Sequence, residues 1–231
     1  MKVLVIPDVH LKSWMFDRAE EVLKKEHIDC EVCLMDLADD WGHDSDIEAY
    51  RETYDRAIAF ARQHPMSLWC YGNHDVSYMW QLQESGYSRL CMPLVQTKLS
   101  VLKNICEDRL KFIHRIDNVL FMHAGLTEDF VDSYIISNDT DKVIDEINGM
   151  GPSEMWLDNS PIWHRPQYDG RPLFKSKELL QVVGHTPVEE ILVQDKLITA
   201  DTFSTSIYGH YIGNREFIRV DTKEMTWSYF N

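Results

Sequence analysis

No apolar run in the 231-residue sequence approaches the ~20 residues that a bilayer-spanning helix requires, so a membrane-spanning chain is not expected. The opening Met1-Lys2-Val3-Leu4-Val5-Ile6 meets Pro7-Asp8 too soon to build the apolar stretch of a secretion signal. Cysteine is scarce and odd in number, five in all and scattered, which argues against a disulfide framework and for a reducing compartment. Cys30 and Cys33 form a lone C-x-x-C with no second pair and read as buried thiols. Basic residues are also few, 23 Lys and Arg against 38 Asp and Glu. The resulting formal charge of −15 excludes stable binding to duplex nucleic acid unless metal ions locally reverse the sign. There are no repeats, no low-complexity tracts and no composition shift marking a boundary, so one domain over residues 1–231 in the cytoplasm is expected.

What the sequence does contain is a series of short apolar strands that each stop at polar residues. Val3 to Ile6 is a β-branched run, the pattern of a strand buried on both faces, and Asp8-Val9-His10 follows it. Residues two apart in extended chain point the same way, so Asp8 and His10 can converge on one ion. Apolar positions Phe16, Ala19, Val22 and Leu23 predict an amphipathic helix over Met15 to His27. Cys30 to Met35 is a second strand and ends at Asp36. Ser45-x-x-Glu48 reads as a capping box opening a helix from Asp46 to about Gln63. A third strand, Met66 to Tyr71, ends in Gly72-Asn73-His74-Asp75. There an amide carbonyl, a titratable imidazole and a carboxylate follow one another in a polar turn.

Residues 81–107 read as helix and loop without a chemical motif. Arg109 to Ile116 and Val119 to Met122 read as two strands joined by Asp117-Asn118, the second of them ending in His123-Ala124-Gly125. Phe130 to Ile147 is helical with a break near Ser137-Asn138, and Gly149 to Gly170 is an ordered loop. Leu179 to Val183 ends in Gly184-His185-Thr186-Pro187, and antiparallel strands follow from Ile191. Five strand ends thus deliver Asp8 with His10, Asp36, Asn73 with His74, His123, and His185. This mixture of oxygen and imidazole ligands with a carboxylate to share is what a two-metal hydrolytic site needs.

The ordered motifs Asp8-x-His10, Asp36-x-x-Asp39, Gly72-Asn73-His74-Asp75, His123-Ala124-Gly125 and Gly184-His185-Thr186 resemble the calcineurin-like metallophosphoesterases over residues 8 to about 202. Gly184-His185-Thr186-Pro187 and Trp163-His164-Arg165-Pro166 are most similar to the serine/threonine phosphoprotein-phosphatase branch, with its bacterial and phage enzymes and its dinucleoside tetraphosphatase relatives. The resemblance implies an αββα sandwich of two mixed β-sheets flanked by helices. It implies two divalent ions, with Mn, Fe and Zn all compatible with the ligands. Asp8 and His10 would hold one, Asn73, His123 and His185 the other, with Asp36 bridging. The ions would share a hydroxide that attacks phosphorus, His74 would protonate the leaving oxygen with Asp75 orienting it, and Arg165 and Asn73 would contact the phosphate.

Four residues depart from the family pattern. Met35 stands where a Gly usually precedes the bridging Asp, Asp75 replaces a Glu, and Phe203 replaces a Gly. Asp40 occupies the place of a phosphate-binding Arg, so the expected enzyme is a poor protein phosphatase: whether Asp40 turns away to a nearby cation or meets a positive or hydrogen-bonding group of the substrate, a small or unusual phosphoester is favoured over phosphoserine peptides. His27, His64, His114 and His210 read as packing or surface residues, and His43 and His164 as either supports of the site or solvated loop. The expected function is hydrolysis of a phosphomonoester, on a small molecule or a phosphoprotein. The alternatives are hydrolysis of a dinucleoside polyphosphate or diester, and a fold kept as a non-catalytic scaffold.

Overall fold

Along the first strand Val3 and Val5 point one way and Leu4 and Ile6 the other, and all four are fully buried. A strand apolar on both faces needs a layer on each side, and the computed structural model, which describes residues 1–230, supplies a second sheet on one side and helices on the other. Chain order runs β1 (Lys2–Ile6), α1 (Trp14–Lys25), β2 (Cys30–Cys33), α2 (Ile47–Gln63), β3 (Leu68–Cys70), α3 (Asn73–Trp80), α4 (Met92–Cys106) and β4 (Leu110–Lys111). It continues through β5 (Ile113–Ile116), β6 (Val119–Met122), α5 (Glu128–Tyr134), α6 (Thr140–Asn148), α7 (Pro152–Met155) and α8 (Pro166–Asp169). Five strands complete it in part by hairpins: β7 (Leu180–Val183), β8 (Leu192–Gln194), β9 (Leu197–Thr199), β10 (Ile218–Asp221) and β11 (Thr226–Tyr229).

The first sheet has the order β11-β10-β1-β2-β3-β4 and the second β5-β6-β7-β9-β8. Both are mixed. β1 to β4 run parallel, with β10 antiparallel to β1, and β6, β7 and β9 run parallel between antiparallel β5 and β8. Val3, Val5, Val32, Val119, Phe121, Val182 and Ile198 fill the space between the sheets, and the Cys70 thiol reaches across it to the Phe121 carbonyl at 3.4 Å. The four-layer sandwich is therefore the observed fold. All five cysteines are buried free thiols.

Three local expectations change. Arg109 to Ile116 is not one strand: the chain leaves the first sheet after Lys111 and enters the second at Ile113, with Phe112 at the crossing. The α2 cap is Asp46, whose carboxylate accepts the Ala49 N–H at 3.1 Å, rather than Ser45. Asn73, His74 and Asp75 form the first turn of α3 rather than a free turn. Met35 adopts φ +59°, a conformation that Gly takes freely and that strains a side-chain-bearing residue, which accounts for the family's Gly at this position. Phe203 is fully buried and packs on Phe217 and Trp14 at ring distances of 4.9 and 5.9 Å.

Candidate metal centre

Because β1, β2, β3, β6, β7 and β9 are parallel within their sheets, each sheet delivers the residues following its strands to a single edge. Backbone hydrogen bonds tie these strand exits together, from His10 N–H to Asp36 O at 2.7 Å and from Gly184 N–H to His123 O at 2.9 Å. A cavity of about 250 Å³ opens there, walled among others by His10, Asp36, Asn73, His74, Arg165 and His185.

Asp36 lies at the centre. Its carboxylate belongs to two groups of ligand atoms, one with His10 and His74 and one with His123 and His185, each group drawn within 4.8 Å. Its Oδ1 accepts the His74 N–H at 3.0 Å, and its Oδ2 lies 3.1 Å from His123 Nε2 and 3.8 Å from His10 Nε2. A Cβ at Gly72 would overlap this carboxylate, and one at Gly184 would overlap that of Asp8, so both glycines make room for acids. Asp8 accepts the His185 N–H through Oδ1 at 2.7 Å, while its buried Oδ2 has no hydrogen-bond partner.

The donor set fits cations. His123 and His10 are both oriented by backbone carbonyls, through Nδ1 to Leu34 O at 3.0 Å and Nδ1 to Asp39 O at 2.7 Å, which turns each Nε2 toward the Asp36 carboxylate. Around His123 Nε2 stand Asn73 Oδ1 at 2.9 Å, Asp36 Oδ2 at 3.1 Å and His185 Nδ1 at 3.2 Å. One N–H cannot serve three acceptors, whereas a cation among them satisfies all four atoms. Asp8 is adjacent but outside the two tight groups.

His74 Nδ1 is paired with Asp39 Oδ2 at 2.8 Å. Asp75, expected to orient His74, does not reach it. Its carboxylate instead accepts the N–H of Leu37 at 3.2 Å and of Gly72 at 3.3 Å, capping α3 and clamping the Asp36 loop. Asp39 is in turn held by the hydroxyls of Tyr50 and Tyr78. Asp40 turns away from a free-acid role: Oδ2 pairs with the buried Lys12 ammonium at 2.8 Å, and Oδ1 accepts from Trp41 N at 2.9 Å and from the Thr205 hydroxyl. Burial would raise its pKa, but Lys12 and Thr205 outweigh that and hold the carboxyl below its ordinary value.

Arg165 lines the cavity and spends one N–H on His185 O at 3.1 Å, leaving donors of its fork for an anion. Gly125 permits this placement, since a Cβ there would strike Pro166 and its N–H bonds His164 O at 3.1 Å. His43 is an exposed partner of Asp46, and His164 faces Asp169, so neither joins the site. Glu84 and Asp201 also line the cavity, and Lys12 reaches it through Asp40; the sequence assigns none of the three a role. Only Asp201 had a signal, following Ile198-Thr199-Ala200 as another acid after an apolar strand.

Burial opposes charging His74 and His123, yet Asp36, Glu84 and Asp39 push His74 up to about 10, and Asp36 and Asp8 push His123 up to about 9. Imidazoles titrate near ~6.5 in unfolded chain, so the folded values are the higher ones. These imidazolium–carboxylate contacts therefore stabilise the ion-free protein fully below about pH 6.5 and are lost as pH rises through 9 to 10. Burial, joined by the Asp36 charge, also pushes Asp75 up to about 7, so it too lowers stability as pH rises, but only between about pH 4 and 7, and the fall above pH 7 belongs to the two histidines. The Tm of EDTA-treated protein is expected to fall from about pH 7 to about pH 10, and Mn²⁺ to reduce that fall by replacing the lost positive charge. Differential scanning fluorimetry across that range is the check, and a flat Tm in EDTA would contradict it.

The two sandwiched sheets thus present at one edge a carboxylate–imidazole cluster that could hold metal ions. A model of the calcineurin-like phosphoesterases matches residues 1–215, and the chain belongs to that family. A cold-active protein-tyrosine phosphatase from a psychrophilic Shewanella species has a similar structure, with a TM-score of 0.60 and 18% identity over 100% of this chain and 80% of that one. A protein serine/threonine phosphatase from Saccharomyces cerevisiae is similar at a TM-score of 0.59 and 16% identity, over 95% of this chain and 72% of that one. At these identities the likeness is one of fold. No curated protein matches the chain. Among the described residues, no helix is long and apolar enough to cross a membrane.

Proposed function

We propose that the protein is a two-metal phosphomonoesterase for small phosphorylated molecules. The observation that carries this reading is the membership of Asp36 in both ligand groups, which is the arrangement a shared, bridging carboxylate requires. Asp8, His10 and Asp36 would hold one ion and Asp36, Asn73, His123 and His185 the other. Two divalent ions there would supply Lewis-acid polarisation of the phosphoryl group and activation of water. The donor set suits Mn, Fe or Zn.

The chain's own residues do the rest. Arg165 offers its remaining donors to the phosphoryl oxygens, where charge accumulates in the transition state. His74 lies on the cavity wall with its Nδ1 proton held by Asp39, so the ring is oriented to deliver its other proton to the leaving oxygen. With its charge met by Lys12, Asp40 on the cavity wall neither attracts nor strongly repels phosphate. One arginine fork and no second suits small phosphomonoesters better than phosphoserine or phosphothreonine peptides. Trp41, which lines the cavity and is 47% exposed, favours a second reading in which a nucleobase stacks there and a dinucleoside polyphosphate is cleaved.

Turnover of small phosphomonoesters, phosphopeptides and dinucleoside polyphosphates, each measured with Mn²⁺ and with EDTA, separates these readings. Arg165→Ala is expected to lower kcat/KM by about 10- to 100-fold, the value of a charge-assisted contact to phosphate. Hydrolysis that persists in EDTA, or efficient turnover of phosphopeptides in preference to the small esters, would overturn the proposal.

A further inference from the structure

The segment joining α3 to α4 carries Glu84, whose side chain is 7% exposed and lies against the metal centre. Glu84 Oε2 accepts a hydrogen bond from Asn73 Nδ2 at 2.7 Å. Its Oε1 has no hydrogen-bond partner and stands 3.6 Å from His74 Nδ1. An Asn side chain is nearly symmetric in shape, and nothing in its own geometry decides whether oxygen or nitrogen faces an ion. A carboxylate behind the amide does decide it, because it accepts from NH₂ and repels the carbonyl. In this structure Asn73 Oδ1 accordingly points at His123 Nε2, 2.9 Å away, among the proposed ligands of the second ion.

We infer that Glu84 is a positioning residue: it locks the Asn73 amide with its oxygen toward the second ion and its nitrogen away. The inference rests on the two-ion reading above and deepens it. The locking acts on one ion, since Glu84 hydrogen-bonds Asn73 and neither Asp8 nor His10, and meets His74 of the other group only at 3.6 Å, without a hydrogen bond. Outer partners of metal ligands of this kind are worth about 10- to 100-fold in metal affinity.

Isothermal titration of the ion-free protein with Mn²⁺ tests this without recourse to activity. Wild type is expected to bind two ions. Glu84→Leu, which fills the space but accepts no hydrogen bond, should weaken one of them by about 10- to 100-fold and leave the other within a few-fold. Glu84→Gln, whose carbonyl can still accept from Asn73, should keep both within a few-fold. Glu84→Ala should reproduce the loss and serves if the Leu variant does not fold, judged by its Tm in EDTA. Equal losses in the Gln and Leu variants would replace positioning by charge and overturn the inference. So would wild-type affinity in both the Leu and Ala variants, or an equal weakening of the two ions. Fewer than two ions on wild type would sink the two-ion reading itself, a result distinguishable from all of these.

Discussion

His74→Asn is expected to lower kcat by about 10²–10⁴ while Mn²⁺ still binds at wild-type stoichiometry, because a positioned general acid contributes about that factor. The ring is placed for the role by two contacts. Its backbone N–H is anchored on Asp36 Oδ1 at 3.0 Å, and its Nδ1 is paired with Asp39 Oδ2 at 2.8 Å. Asn keeps the backbone anchor, which comes from the main chain, but has no proton to transfer. The loss should shrink for esters with good leaving groups, which leave with little protonation, and kcat measured across a leaving-group series checks this. Asp39→Asn should act in the same direction, since a neutral partner supports the imidazolium less. His74 also stands in one of the two ligand groups. Loss of an ion from His74→Asn would therefore make His74 a ligand and remove its proposed role.

Asp36→Asn is expected to remove all ion-dependent turnover and to leave fewer than two Mn²⁺ bound at concentrations that saturate wild type. Asn tolerates the φ of +41° at this position better than most residues, so the backbone turn survives and the experiment reports on charge rather than folding. What it removes is the carboxylate common to both groups, together with the charge that most strongly supports His123 and His74 in their protonated state. Two like-charged ions ~4 Å apart require a shared anion between them, so neither site is expected to survive at full affinity. Retention of two ions at wild-type affinity would show that Asp36 bridges nothing. Equilibrium dialysis with elemental analysis gives that count directly.

Much of the centre was legible in the sequence because a strand end is a local event. Val3–Ile6, Cys30–Cys33, Val119–Met122 and Leu180–Val183 are short buried runs, Leu68–Cys70 is one but for half-buried Leu68, and each hands the chain to polar residues within a few positions. Parallel pairing then needs only to be assumed for those exits to meet at one edge. Residue order alone was enough for Asp36, Asn73, His123 and His185, whose ligand atoms the structure gathers around His123 Nε2. Asp201 follows the same rule after β9.

What the sequence by itself determined, then, is the layering, from residues such as Val3 and Leu4 that are apolar on opposite faces, and the identity of the carboxylates and imidazoles at the strand exits. Which carboxylate serves which imidazole was decided only by tertiary structure. Asp75 is the neighbour of His74 in sequence, but successive residues of a helix point ~100° apart, so once α3 begins at Asn73 the two side chains diverge. Asp39 takes the place from a loop 35 positions away, and the Lys12–Asp40 pair bridges 28 positions. Glu84 is 11 positions from Asn73 in a segment with no pattern of its own. The same holds for Phe112, where an apparently continuous strand divides, Leu110–Lys111 pairing in the first sheet and Ile113–Ile116 in the second. Local propensity sets where strands stop. The pairing of buried polar groups depends on how the loops pack together, and only the assembled sandwich specifies that.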